Sequence, residues 1–133
     1  MQKLTTEELN RISIDEFKQS PKTPLVVVLD NIRSHHNIGS VFRTSDAFRV
    51  EKIYLCGITA TPPHREIHKT ALGATDSVDW EYFSNTLECI NVLKNSGYEI
   101  IGIEQTSDSI QLPVFNPIGE KKYAIIFGNE VKG

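Results

Sequence analysis

The stretch Val26-Val27-Val28-Leu29-Asp30-Asn31-Ile32-Arg33-Ser34-His35-His36-Asn37-Ile38-Gly39-Ser40-Val41-Phe42-Arg43-Thr44-Ser45-Asp46-Ala47-Phe48 decides the fold. Four apolar residues in a row, Val26 to Leu29, predict a strand buried on both faces, as inside a parallel sheet. A polar turn and an amphipathic helix follow. Asn37 is the expected N-cap, its side-chain carbonyl accepting an orphan N–H of the first turn. Ile38, Val41, Phe42 and Phe48 recur at helical steps and are expected to face the sheet. Gly39 and Arg43 are four apart and share another face. Helical side chains lean toward the N-terminus, so the Arg43 guanidinium is expected over the bare backbone of Gly39, close to Asn37. A permanent cation and an amide at a strand-to-helix crevice read as a site.

Working outward, Thr5 to Gln19 suggests a short amphipathic helix, and Ser20 to Pro24 a linker that proline keeps from continuing it. This gives residues 1–23 as helix and linker and 24–133 as one α/β domain, since 133 residues leave room for one modest core. Lys52 to Cys56 predicts a strand, with Ile53 and Leu55 on one face and Tyr54 on the other. Glu66 to Leu72 predicts a short helix closed by Gly73, and Val78 to Tyr82 an exposed strand. Asn85 opens a helix with a capping-box pattern, Leu87, Ile90 and Leu93 inward, that stops at Gly97. Tyr98 to Ile103 and Tyr123 to Phe127 predict two further buried strands. Strands alternating with helices argue for a mostly parallel sheet flanked by helices. Ligands in such sheets bind beyond the carboxyl ends of the strands. Three of those ends carry amide, carboxylate or glycine groups, namely Asn31 to Gly39, Glu104 to Thr106 and Gly128 to Gly133, and they are expected to share one rim.

The net charge of −3 does not by itself suggest a nucleic-acid binder. Its distribution is uneven: Arg33, Arg43, Arg49, Lys52, Arg65 and Lys69 face only Asp46, Glu51 and Glu66 in their segment, whereas residues 70–120 are acidic. A local phosphate-binding patch and a plain solvated surface both fit that pattern. The longest apolar run, Leu25 to Leu29, is too short to span a bilayer. The first ten residues carry Glu7 and Glu8 and lack a signal-peptide core. Cys56 and Cys89 suit a reducing compartment, so a cytoplasmic location is expected. His64 and His68 have metal-ligand spacing, but convergent further ligands are lacking, so no metal is expected.

Gly128-Asn129-Glu130-Val131-Lys132-Gly133 follows a strand directly, and its two glycines let the backbone turn sharply and approach a flat ligand. It is neither a dinucleotide fingerprint nor a P-loop. Taken with Asn37-x-Gly39-x-x-x-Arg43, it resembles a known pair of motifs. The upstream segment resembles the first motif of the SpoU/TrmH RNA ribose methyltransferases of the SPOUT superfamily, and Phe127 to Gly133 resembles their second. The stretch from Leu55-Cys56-Gly57 through Pro62-Pro63 and Lys69 to Ala74, as far as Trp80, also reads like smaller members.

The resemblance implies an α/β-knot fold and S-adenosyl-L-methionine as cofactor. The reaction it implies is methyl transfer to a ribose 2′-hydroxyl of tRNA or rRNA, by a homodimer. It assigns catalysis to Arg43, Asn37 and Glu130, and cofactor contacts to Gln105, Thr106, Gly128, Glu130 and Gly133. Arg33, Arg43, Arg65 and Lys69 are the expected RNA contacts. A guanidinium stays protonated, so Arg43 reads better as a bidentate phosphate clamp than as a base. The family's third motif, containing Ser-Leu-Asn, should follow Gly133, where the chain stops. An incomplete knot and an impaired enzyme are expected on that count. The competing reading is a catalytically inactive RNA- or protein-binding module.

Overall fold

The computed structural model describes residues 22–103 and 121–128. The expected N-terminal helix, the turn at 104–108 and the glycine turn beyond Gly128 lie outside the described residues. Five strands, β1 (Thr23–Asp30), β2 (Val50–Cys56), β3 (Trp80–Phe83), β4 (Tyr98–Ile103) and β5 (Lys122–Gly128), form one sheet of order β3-β2-β1-β5-β4. Every neighbouring pair is parallel. Between the strands lie the helices α1 (His35–Ala47), α2 (Arg65–Ala71), α3 (Ala74–Ser77) and α4 (Thr86–Asn95).

β1 is central, and its four-residue apolar run is buried as expected. Alternation splits it between two cores. Val27 and Leu29 join Ile38, Phe42, Ile53, Leu55 and Ile67 beneath α1 and α2, whereas Val26 and Val28 join Cys56, Cys89, Leu93 and Ala124 beneath α4. A strand buried on both faces has no polar side to spare, which is why its sequence reads as a continuous run. The neighbouring Cys56 thiol, and then burial, push the Cys89 thiol up, so it stays a neutral core group.

Several local expectations shift. Ser34, not Asn37, caps α1, its Oγ accepting the Asn37 N–H at 3.1 Å. Phe48 lies past the last helical turn and is 67% exposed. On α4 the inward residues are Cys89 and Leu93, while Leu87, in the first turn, is 69% exposed. The Asn85 cap holds, its Oδ1 accepting from Leu87 N and Glu88 N. β4 is an edge strand and only half buried, because it bonds to β5 alone among the described strands.

Candidate active site

Chain order and sheet order part company at β1. The chain moves outward through β2 to β3, α4 carries it to the far edge at β4, and β5 then fills the place between β4 and β1. Such a reversal leaves a crevice at the carboxyl ends of the strands on either side. Here those ends are paired: Asp30 stands beside Gly128, and Phe127 beside Ile103. The strand ends that lead into Asn31–Gly39, Glu104–Thr106 and Gly128–Gly133 are therefore neighbours on one rim, as the sequence suggested.

The floor of the rim on the β2 side is built by Asn31, held in the left-handed region at φ 53°. Its Oδ1 accepts the Ile58 N–H at 2.9 Å, and its Nδ2 donates to Asp30 Oδ1 at 3.1 Å. The Thr86 hydroxyl, at the start of α4, donates to the same carboxylate oxygen at 2.6 Å. Gly57 makes room for this bridge: a Cβ there would stand 1.9 Å from Asn31 Oδ1. Underneath, buried Thr59 accepts from Ile32 N–H at 3.0 Å and donates to the Leu29 carbonyl at 3.2 Å. These bonds satisfy buried backbone groups where the β1 ladder ends. The result is a cleft of about 410 Å³ lined by Asp30, Asn31, Gly57, Asn85, Thr86 and Leu87, among others.

On the opposite side of the rim stand the beginnings of α1 and α2. Gly39 is not bare backbone beneath Arg43, as expected, but the point where α2 crosses α1. A Cβ on Gly39 would lie 1.8 Å from Thr70 Oγ1 and 2.4 Å from the Ile67 carbonyl. Thr70 Oγ1 donates instead to the His36 carbonyl at 3.0 Å, bonding α2 to the first turn of α1. Asn37 is exposed near this helix start. Arg43 is exposed and has no carboxylate partner among the described residues. Six residues at ~1.5 Å each place its backbone roughly 9 Å below Asn37 along the helix, a gap that the backward lean of helical side chains shortens. Arg33 and Arg65 are exposed in the turn before α1 and at the start of α2. Lys69 is exposed but paired to Glu66 at 3.2 Å. The His64 Nδ1 accepts from Glu66 N–H at 3.1 Å as the cap of α2. Among the described residues no three His, Cys, Asp or Glu groups converge as a metal ion requires.

With this geometry in view, the sequence profile of the SpoU rRNA Methylase family matches residues 24–133. The chain belongs to the SpoU family. A 23S rRNA (guanosine-2'-O-)-methyltransferase RlmB of Vibrio parahaemolyticus is 30% identical over 129 residues, covering 96% of this chain and 50% of the relative. The RlmB of Nitrosomonas europaea is 33% identical over 92 residues, 66% of this chain and 35% of the relative. The SpoU chain thus spans about half the length, or less, of these relatives. Two solved structures share its fold. The A. aeolicus TrmH/SpoU tRNA modifying enzyme has a TM-score of 0.73 at 23% identity, covering 96% of this chain and 63% of that one. The AdoMet-bound rRNA methyltransferase from Sinorhizobium meliloti has 0.74 at 24%, covering 91% and 44%.

Within this SpoU domain the structure places Asn37, Arg43, Arg33, Arg65, Lys69 and Gly128, while Gln105, Thr106, Glu130 and Gly133 lie outside the described residues. Sequence reading placed Asn31 at the rim but missed its partner Asp30 and the Thr86 that joins them. The available signal was an Asp-Asn pair directly after a buried strand, a place where side chains cap loose backbone.

Proposed function

We propose that this SpoU chain serves S-adenosylmethionine-dependent methylation of a ribose 2′-hydroxyl in tRNA or rRNA. The observation that carries the reading is the pairing of Asp30 with Gly128. It sets the start of the glycine turn beside the loop that leads into the helix bearing Asn37 and Arg43.

The rim suits a nucleoside-sized ligand. Its cleft of about 410 Å³ is lined by amides, hydroxyls, one carboxylate and the apolar side chains of Leu87 and Ile90, a set that matches the hydroxyls and flat base of a nucleoside better than phosphate. Gly128, with Gln105, Thr106, Glu130 and Gly133, would hold the cofactor. When bound, S-adenosylmethionine supplies a methyl group already activated on a cationic sulfur. The chain has to supply alignment of the hydroxyl and a route for its proton. Arg43 clamps an RNA phosphate through its planar fork and so fixes the neighbouring ribose. Asn37 and Glu130 orient Arg43 and hold the turn. Arg33, Arg65 and Lys69 contact further phosphates, Lys69 by exchanging its exposed Glu66 partner. A cytoplasmic homodimer completes the reading. Two buried free thiols support a reducing compartment, and no described helix is long and apolar enough to cross a membrane.

Transfer of tritiated methyl groups to RNA, followed by nuclease digestion, tests this. Label on the ribose 2′-oxygen is expected, and RNA that stays unlabelled with active cofactor and substrate present overturns it. Arg43→Lys should lower kcat/KM about 100-fold, the scale of a misplaced reactant. Near-normal activity in that variant would exclude the planar clamp.

A further inference from the structure

At the crossing of α1 and α2 the rings of His35 and His64 lie face to face, centroids 4.0 Å apart and planes 18° from parallel. Neither belongs to the two sequence motifs, and no role in the proposed reaction rests on them. One ring is held by a hydrogen bond and the other is carried on a fixed stretch of backbone. His35 is the first residue of α1, whose start is fixed by the Ser34 cap. His64 has its Nδ1 committed to the Glu66 N–H, which sets both the ring's orientation and its tautomer. Each side chain is partly buried and partly open to solvent. Exposed guanidinium groups stand next to the pair in sequence on both sides, Arg33 two residues before His35 and Arg65 directly after His64.

We propose that the His35–His64 stack is a platform on which an unpaired RNA base is laid. This rests on the reading of the chain as an RNA methyltransferase domain and names the kind of RNA it takes. Imidazole rings stack on nucleobases, and every base offers a face for it. A base inside a duplex has both faces covered, so the platform selects loops, bulges and ends. The flanking guanidiniums hold the backbone on either side of the stacked base. Because the two rings are already stacked and one is hydrogen-bonded, little side-chain freedom is lost when the base arrives.

Fluorescence anisotropy at fixed salt, comparing a hairpin with an unpaired loop against a fully paired duplex, tests the platform. Three variants separate its parts. His64→Asn keeps an acceptor for the Glu66 N–H but has no aromatic ring. His64→Phe keeps a ring and gives up the acceptor. Arg65→Ala removes a phosphate contact. The wild-type chain should prefer the hairpin, His64→Asn should lose about tenfold on the hairpin alone, and His64→Phe should keep the preference. Arg65→Ala should weaken both RNAs alike and flatten the salt dependence. Circular dichroism identifies any variant that fails to fold, in which case His35→Ala takes the place of His64→Asn, with the same loss expected. RNA binding with an unchanged hairpin preference in His64→Asn or His35→Ala overturns the platform and leaves the RNA reading intact. A chain that binds neither RNA, even at low salt, overturns both.

Discussion

On the α1 side of β1, Val27 and Leu29 meet Ile38, Phe42 and Ile67, and the contact is closed by a glycine that lets α2 touch α1 backbone to side chain. On the α4 side, Val26 and Val28 meet Leu93, Ala124 and two thiols, and the contact is closed at its top by Thr86 donating to Asp30. One strand thus serves two cores of different character, one sealed by shape and the other tied by a polar bond at the rim. The difference matters because the site proposed above draws on residues from both sides. A defect on the α1 side tilts the helix that carries Asn37 and Arg43, whereas a defect on the α4 side loosens the carboxylate next to Gly128.

The sharpest way to break this comparison is to remove one large side chain from each core. Phe42→Ala should cost about 4 kcal/mol and Leu93→Ala about 3 kcal/mol, read from urea denaturation midpoints, with both side chains fully buried at the start. Equal or reversed losses would show that the α1 core is not the better packed. Next comes Gly39→Ala, where overpacking of about 3 kcal/mol is set against about 1 kcal/mol gained from helix propensity. A net loss near 2 kcal/mol is expected from the same measurement. Removing the Thr70 hydroxyl as well should recover only part of it, because the Ile67 carbonyl would still be 2.4 Å from the new Cβ. A stabilised Gly39→Ala would mean that the two helices cross further apart.

Smaller effects sharpen the α4 side. Thr86→Val deletes a donor to a carboxylate and should cost about 1.5 kcal/mol, with Asp30 left holding its bond from Asn31. The gentlest test is pH. Burial, and then the 2.6 Å hydrogen bond to Glu51, push the Tyr98 hydroxyl well above the usual tyrosine range. The folded pKa is therefore higher than the unfolded one. Its contribution to stability is complete below about pH 10 and is lost as pH climbs from there through the folded value. Melting temperatures from pH 9 to 11 should fall, and Tyr98→Phe should flatten that decline. Tyr54, also raised mainly by burial, supplies a remaining slope.

What the sequence reveals follows physical range. β1 was readable because burial on both faces leaves no polar residue in the strand. The start of α4 was readable because Asn85 caps it through two bonds within three residues. The α1 cap slipped by three positions because Ser34 and Asn37 are both competent caps, and only the path of the turn chooses between them. Phe48 and Leu87 fit helical periodicity, yet they fall at helix ends where the stripe has left the sheet. Cys89 reads in the sequence only as a sign of a reducing compartment, and its place in the core depends on how α4 packs on the sheet. β4 reads as buried in the sequence because its strand order, which makes it an edge, is set by β5, which begins only at Lys122. For the candidate site, Asn37, Arg43 and Gly128 were legible as motif residues. The Asp30–Asn31–Thr86 bridge and the His35–His64 stack were not, since each joins residues that are separated by tens of positions in the chain.

That late arrival of β5 has a consequence for synthesis. As the chain leaves the ribosome, β1, β2 and β3 can zip together in order, but β1 must keep one flank unpaired while residues up to 128 are still being made. β4 emerges earlier yet has no strand to pair with until β5 appears. The nascent domain therefore carries an open, apolar strand edge for most of its translation, a natural target for chaperones and a hazard for chains that stall.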